Sequence, residues 1–372
     1  MKLPIFIGLD KSPMKPKLPL SLFLSFLFFV AFYLTSSASN GMHPEAQLRF
    51  VRTQIENKTE PYYQAYLQLL AYADTALAKK HHALTDFAVP GFYVDPDGHR
   101  NNSGSLQADS FYAYACALAY RLGGDKKYGK KAIYFLNAWA EQNKGYSEAD
   151  GPLVMAYSGP GLLIAADLMK NQKIWQGKKQ ETFSSWVSTV YQKASNEIRN
   201  RKNNWADWGR YGSVLSAVYL EDADEMMENI RLIKSDLFEK IAADGHMPEE
   251  VRRQDRGLWY TYFSLAPITA ACWVILQAEG TDLLHWKEEG RSVKLGMDYL
   301  LKFVKDPTAW PWHDNQRPGS PDSWPGNLME AMEGIYDDPR YGEYAAVAQP
   351  VSYPLHHFAW TFPTLMKPKM VY

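Results

Sequence analysis

Residues 265–276 read LAPITAACWVIL and residues 113–122 read AYACALAYRL. Wound as helices, both runs present apolar side chains on more than one side, so each should be packed between other helices instead of lying on a surface. Apolar residues recur at three- and four-residue spacing over 62–81, 106–122, 127–142, 159–169, 181–198, 209–219, 225–242, 259–277, 284–304 and 327–335. Gly, Pro and Asn cluster over 89–104, 143–151, 200–204 and 306–326, where the helices should break. Runs of alternating β-branched residues are nearly absent. The pattern predicts an all-α fold of roughly ten helices with short connections.

Inner helices that are apolar all round, alternating with outer helices that are apolar on one face, suit an (α/α) toroid of helical hairpins. A plain bundle or an α-solenoid would carry the same alternation, although the chain has no internal period of the kind a solenoid shows. No Pro/Ser-rich linker divides the sequence, so residues 40–372 are expected to form one domain. The Pro- and Trp-rich stretch 307–325 is long for a connector and suits a lid, a cleft wall or a purely structural loop.

The N-terminus has Lys11, Lys15 and Lys17 ahead of an apolar run over 18–34, followed by Ser36, Ser37, Ala38 and Ser39. A basic region, an apolar region and a small-residue exit describe a secretory signal peptide over 1–39. The mature chain would then begin near Ser39 or Asn40 and be secreted or periplasmic. An uncleaved anchor is the alternative reading. No later stretch is expected to span a membrane, so no stable membrane association should outlast signal cleavage.

The net charge of -1 over 372 residues argues against an electrostatic nucleic-acid partner, while leaving room for a local basic cleft. The compositional outlier is aromatic content, with 12 Trp and 24 Tyr, which serves a core and also stacks on sugar rings. The two cysteines, Cys116 and Cys272, sit in apolar stretches and read as buried small hydrophobes, with a disulfide as the alternative. No Cys/His set has zinc spacing, and nothing requires a metal or cofactor.

Residues 244–263 read DGHMPEEVRRQDRGLWYTYF. Three- and four-residue spacing puts Arg253, Arg256 and Tyr260 on one face if this is the start of a single helix. That face is either solvated and salt-bridged to Glu249 and Glu250, or a grip for an acidic substrate. An arginine fork meets a carboxylate with two parallel hydrogen bonds, and guanidinium charge beside a tyrosine favours its phenolate. Upstream, Asn203-Asn204-Trp205-Ala206-Asp207-Trp208 combines a helix cap with amide donors that can disperse charge on an enolate. Together these groups suit β-elimination on a uronic acid. The ring carboxylate is neutralised, the C5 proton is removed and the O4 leaving group is protonated.

The double asparagine, followed by Asp244-Gly245, Glu249 or Glu250, Arg253, Arg256, Leu258 and Tyr260, resembles the alginate lyase superfamily of polysaccharide lyases. That resemblance implies a secreted (α/α) toroid acting on an anionic polysaccharide or oligosaccharide. It also implies that Asn204 and Arg253 neutralise the carboxylate while Tyr260 transfers the proton. Trp205 stands where the family usually has histidine, and His246 is the candidate to supply an imidazole instead. Substrate contacts are expected from Asn203, Arg256, Tyr157, Trp205, Gln107 and Trp312, with Trp310, His313 and Trp324 as further stacking candidates. Two other functions compete. One is a glycoside hydrolase using a carboxylate pair from Asp207, Asp244, Glu249 and Glu250. The other is a non-catalytic glycan-binding protein.

Overall fold

The computed structural model describes Met1, residues 41–354 and residues 356–372. The leader and its cleavage point near Ser39 or Asn40 lie outside the described residues. The apolar runs 113–122 and 265–276 form the buried parts of the helices Pro96–Gly123 and Gly257–Glu279. In the second, every residue from Thr261 to Ile275 is buried. Outer helices bury one stripe only. Ala223–Lys240, for example, buries Met226, Asn229, Ile230, Ile233 and Leu237 and leaves its other face to solvent.

Inner helices pack on their inner neighbours and on an outer partner. Pro96–Gly123 lies against Pro160–Met169, which meets Asn204–Leu220, which in turn meets Gly257–Glu279. On the outside, Lys126–Gln142 covers Pro96–Gly123, Ala223–Lys240 covers Asn204–Leu220, and Val293–Lys305 covers Gly257–Glu279. The result is an (α/α) toroid of helical hairpins. The strands described are a parallel pair, Asp86–Ala88 with Gly145–Ser147, and a two-residue antiparallel pair.

Three sequence expectations need correction. The Pro96–Gly123 helix begins within the expected break at 89–104, because Asp95 caps it by accepting from the Gly98 N–H at 2.9 Å and Pro96 takes the first helical position. Two polar residues of the expected break are satisfied in place: the Asn102 amide donates to the Ala88 carbonyl at 2.8 Å and the Ser103 hydroxyl to the His99 carbonyl at 2.7 Å. The run 284–304 is not one helix. A turn with Glu289 at φ 49° and Gly290 at φ 78° reverses the chain before Ser292 caps the helix Val293–Lys305. Finally, Gly151–Met169 and Gln254–Glu279 are long and apolar enough to cross a membrane by composition, contrary to expectation. They are 94% and 83% buried inside the protein, so their apolarity serves the inner ring. Cys116 and Cys272 are both free and buried, and burial pushes each thiol up to about 12.

Candidate active site

A cavity of about 800 Å³ lies at the N-terminal ends of the inner helices. His99 comes from the first turn of Pro96–Gly123 and Tyr157 from the helix Gly151–Ser158. Asn204 and Trp205 begin Asn204–Leu220, and Trp259, Tyr260 and Phe263 sit in the first two turns of Gly257–Glu279. Helix N-termini carry partial positive charge, so this end of the ring favours an anion before any side chain is counted.

The segment carrying Arg253, Arg256 and Tyr260 is not one helix. Asp244-Gly245 makes a turn in which Gly245 has φ 96°, and a Cβ there would lie 2.6 Å from the Leu295 carbonyl oxygen. A short helix Pro248–Val251, a 3-10 turn Gln254–Arg256 and the long helix from Gly257 follow. The broken path still converges. Arg253 lies over the Tyr260 ring at 4.4 Å, and Arg256 faces the rings of Phe92 and Tyr93 at 5.4 and 5.7 Å. Gln316, buried in the long 306–326 loop, clamps the 3-10 turn by donating to the Gln254 carbonyl at 2.7 Å and accepting from the Leu258 N–H at 2.9 Å. The same loop contributes Arg317 and Trp324 to the cavity, so it serves as a cleft wall.

The hydroxyls of Tyr260 and Tyr93 are 3.1 Å apart. Burial pushes the Tyr260 phenol well above its ordinary range, and the hydrogen bond and charge of Tyr93 add to the rise. Arg253 and Arg256 pull it down without winning, so Tyr260 rests as the neutral phenol and not the phenolate expected from its neighbours.

Asn203 caps the helix by accepting from the Trp205 N–H at 3.3 Å, and it does not line the cavity. Asn204 does line it, and is held there by Glu250. The Glu250 carboxylate accepts from the Asn204 backbone N–H at 2.7 Å and from its side-chain amide at 2.8 Å. Burial pushes Glu250 up to about 7, partly offset by these hydrogen bonds. The expected salt bridges from Arg253 and Arg256 to Glu249 and Glu250 do not form; Glu249 pairs with Arg252 instead, at 3.0 Å.

Arg201, Arg253, Arg256 and Arg317 line the cavity. Among the described residues, none of these four guanidiniums is ion-paired or donates a hydrogen bond. The carboxylates at the cavity are Asp255 and Asp150, and Asp150 is already engaged. It accepts the Phe92 N–H at 2.8 Å and lies 3.3 Å from His99 Nδ1. His99 also donates to the Pro90 carbonyl, at 3.0 Å, so His99 and Asp150 together pin the loop that carries Tyr93. Burial alone would lower the His99 pKa, but Asp150 and the Pro90 carbonyl outweigh it and raise it.

Sequence reasoning missed His99, Tyr93, Arg201 and His356. His356 lines the cavity, stacks on Tyr157 at 4.7 Å and is lowered by burial to about 4. The adjacent pair His356-His357 in an aromatic C-terminal stretch was the available signal.

Other expected site residues lie elsewhere. His246 and Trp312 pack against each other, tilted, with ring centres 4.5 Å apart, and line a separate depression together with His313. His246 is therefore not brought to Trp205, because its Nδ1 is tied to the neighbouring Asp244 at 2.5 Å. Gln107 falls within the Pro96–Gly123 helix, away from the cavity, and Trp310 is packed against Tyr299 and Phe303. Asp207 is buried in an ion pair with Lys240 at 2.5 Å, and neither it nor Asp244, Glu249 or Glu250 lines the cavity.

Residues 52–310 match the family model described as alginate lyase. An alginate lyase of Pseudomonas syringae pv. tomato is 28% identical over 135 residues, covering 36% of this chain and 35% of that protein. One from Cobetia marina is 29% identical over 125 residues, covering 34% of this chain and 32% of that protein. These matches span about a third of each relative's length. Solved structures extend further. An alginate lyase from Bacteroides ovatus superposes with a TM-score of 0.70 at 21% identity, covering 88% of this chain and 98% of that one. Alginate lyase A1-III from Sphingomonas species A1 gives 0.69 at 16% identity, covering 91% and 99%. A tyrosine-to-phenylalanine variant of A1-III, complexed with a tetrasaccharide, gives 0.71 at 16% identity over 90% and 98%. With the toroid, the asparagine-bearing helix start and the Arg–Tyr segment all within the matched span, the chain belongs to the alginate lyase family.

Proposed function

We propose that the protein cleaves a uronate-containing polysaccharide, of the alginate or glucuronan kind, by β-elimination. One observation carries this reading: unpaired guanidiniums and helix N-termini surround a cavity into which Tyr260 projects beneath Arg253. Cations left without partners in a cleft suit a polymer that brings its own carboxylates. Arg253 and the free amide hydrogen of Asn204 take the carboxylate of the ring to be cleaved, which acidifies the C5 proton. Tyr260, which rests as the phenol, first loses its proton to solvent, and its phenolate then removes the C5 proton. As the C4–O4 bond breaks, the resulting phenol returns a proton to O4. A C4–C5 double bond forms and no water is consumed.

On this path Tyr260 serves both steps from one side of the ring, which suits sugars whose H5 and O4 share a face, such as mannuronate and glucuronate. The hydrolase reading loses support because Asp207, Asp244, Glu249 and Glu250 do not line the cavity and are committed to Lys240, His246, Arg252 and Asn204. On our reading residues 1–39 are a secretory leader, which would put the activity in the periplasm or outside the cell.

The test is a panel of mannuronate-rich alginate, guluronate-rich alginate and glucuronan, followed by ultraviolet absorbance of the unsaturated product. Cleavage that produces new reducing ends without this chromophore would mean hydrolysis. Binding without cleavage would mean a glycan-binding protein.

A further inference from the structure

Arg201 precedes the Asn204–Leu220 helix, and Trp205 lies in its first turn. The guanidinium carbon of Arg201 is 3.8 Å from the centre of the Trp205 ring system, which is face-to-face stacking distance. Stacking occupies the flat face of a guanidinium and leaves its in-plane N–H edge available. Among the described residues, nothing takes that edge: Arg201 has no ion pair and no side-chain hydrogen bond, and it is exposed at the cavity mouth. Arg253 lies deeper and is half-buried over Tyr260. The cavity thus has an inner carboxylate grip and an outer one.

We propose that Arg201, held flat by Trp205, forms a second carboxylate-binding subsite that takes the uronate next to the ring being cleaved. This rests on the polyuronate reading above and adds a residue and a role to it. Trp205 acts as a positioning residue. One of its faces is covered by the guanidinium, so its contribution to binding passes through Arg201. A guanidinium keeps its charge throughout the range in which an imidazole would titrate.

The test compares Arg201→Ala, Arg201→Lys, Trp205→Leu and Lys202→Ala on whichever polyuronate the wild-type protein cleaves. Lys202 is the neighbouring cation, is exposed and does not line the cavity, so its removal controls for net charge. Arg201→Ala should raise KM about tenfold, as expected for the loss of one charge-assisted contact, with the loss concentrated in KM and not kcat. Arg201→Lys should recover only part of it, because a point charge does not reproduce the fork. Trp205→Leu should fall in between, and adding Arg201→Ala to it should cost less than in the wild type. KM should rise less steeply with salt in Arg201→Ala than in the wild type.

A wild-type KM in Arg201→Ala would overturn the subsite while leaving the lyase reading intact. An equal KM rise in Lys202→Ala would also overturn it, in favour of diffuse attraction. If the wild type binds polyuronates without cleaving them, the same comparison is made on calorimetric dissociation constants. If it neither binds nor cleaves any of them, the subsite falls with the reading beneath it.

Discussion

The carboxylate of Glu250 takes both the backbone N–H and the side-chain amide of Asn204, so one buried acid mounts the amide that faces the cavity. Because burial raises its pKa from 4.5 to about 7, the folded state binds this proton more tightly than the unfolded chain. The resulting stabilisation is fully present below pH 4.5 and is lost as pH rises through about 7. In Glu250→Gln, one of the two donors loses its acceptor, which should cost about 1–3 kcal/mol. Thermal melts across this pH window should show a shallower decline in the variant than in the wild type. Parallel declines would remove Glu250 as the source.

Tyr260→Phe should abolish turnover while binding survives, since only the hydroxyl is lost and Arg253 keeps a ring to lie on. Near-normal production of the unsaturated sugar would exclude Tyr260 from proton transfer.

Tyr93→Phe removes a hydrogen bond that raises the Tyr260 pKa. The phenolate should then form at lower pH, and the rising limb of the pH–rate profile should move in the acidic direction. A profile that stays in place, or moves the other way, would show that Tyr93 does not tune Tyr260.

Arg253→Ala should lower kcat/KM on charged polymers by roughly a hundredfold, because it removes a charge-assisted grip on the reacting ring and leaves Arg256 alone to oppose burial at Tyr260. Steady-state kinetics on the preferred polyuronate would check this, and an unchanged value would remove Arg253 from the site.

Gln316→Ala unclamps the turn that carries Arg253 and Arg256, orphaning the Leu258 N–H. A loss of about 1–3 kcal/mol in stability is expected, with a fall in kcat/KM larger than that of a surface substitution elsewhere in the same loop. Chemical denaturation and kinetics on the two variants would separate these effects.

The ring was legible because an inner helix has to be apolar all round, and 113–122 and 265–276 carry that requirement in their composition. Arg253, Asn204 and Tyr260 were legible because their residue types name a chemistry and their segments are short. What sequence could not supply was everything delivered from far along the chain. Tyr93 and His99 arrive on a loop and helix start more than 150 residues before Tyr260, as their 167-residue separation for the Tyr93 contact illustrates. His356 comes from the C-terminal stretch, and Gln316 from a loop whose composition signals only irregularity. His246 was misplaced for a related reason: proximity along the chain put it near Arg253, but it lines a separate depression with Trp312 and His313.

Placing the cavity at the N-terminal ends of the inner helices divides the labour of recognition between backbone and side chains. The backbone's attraction for negative charge comes with the fold and cannot be mutated away one residue at a time. The identity of the sugar then rests with a thin layer of arginines, aromatics and loop residues laid over that floor. A scaffold built this way can exchange one acidic polymer for another by changing the layer alone.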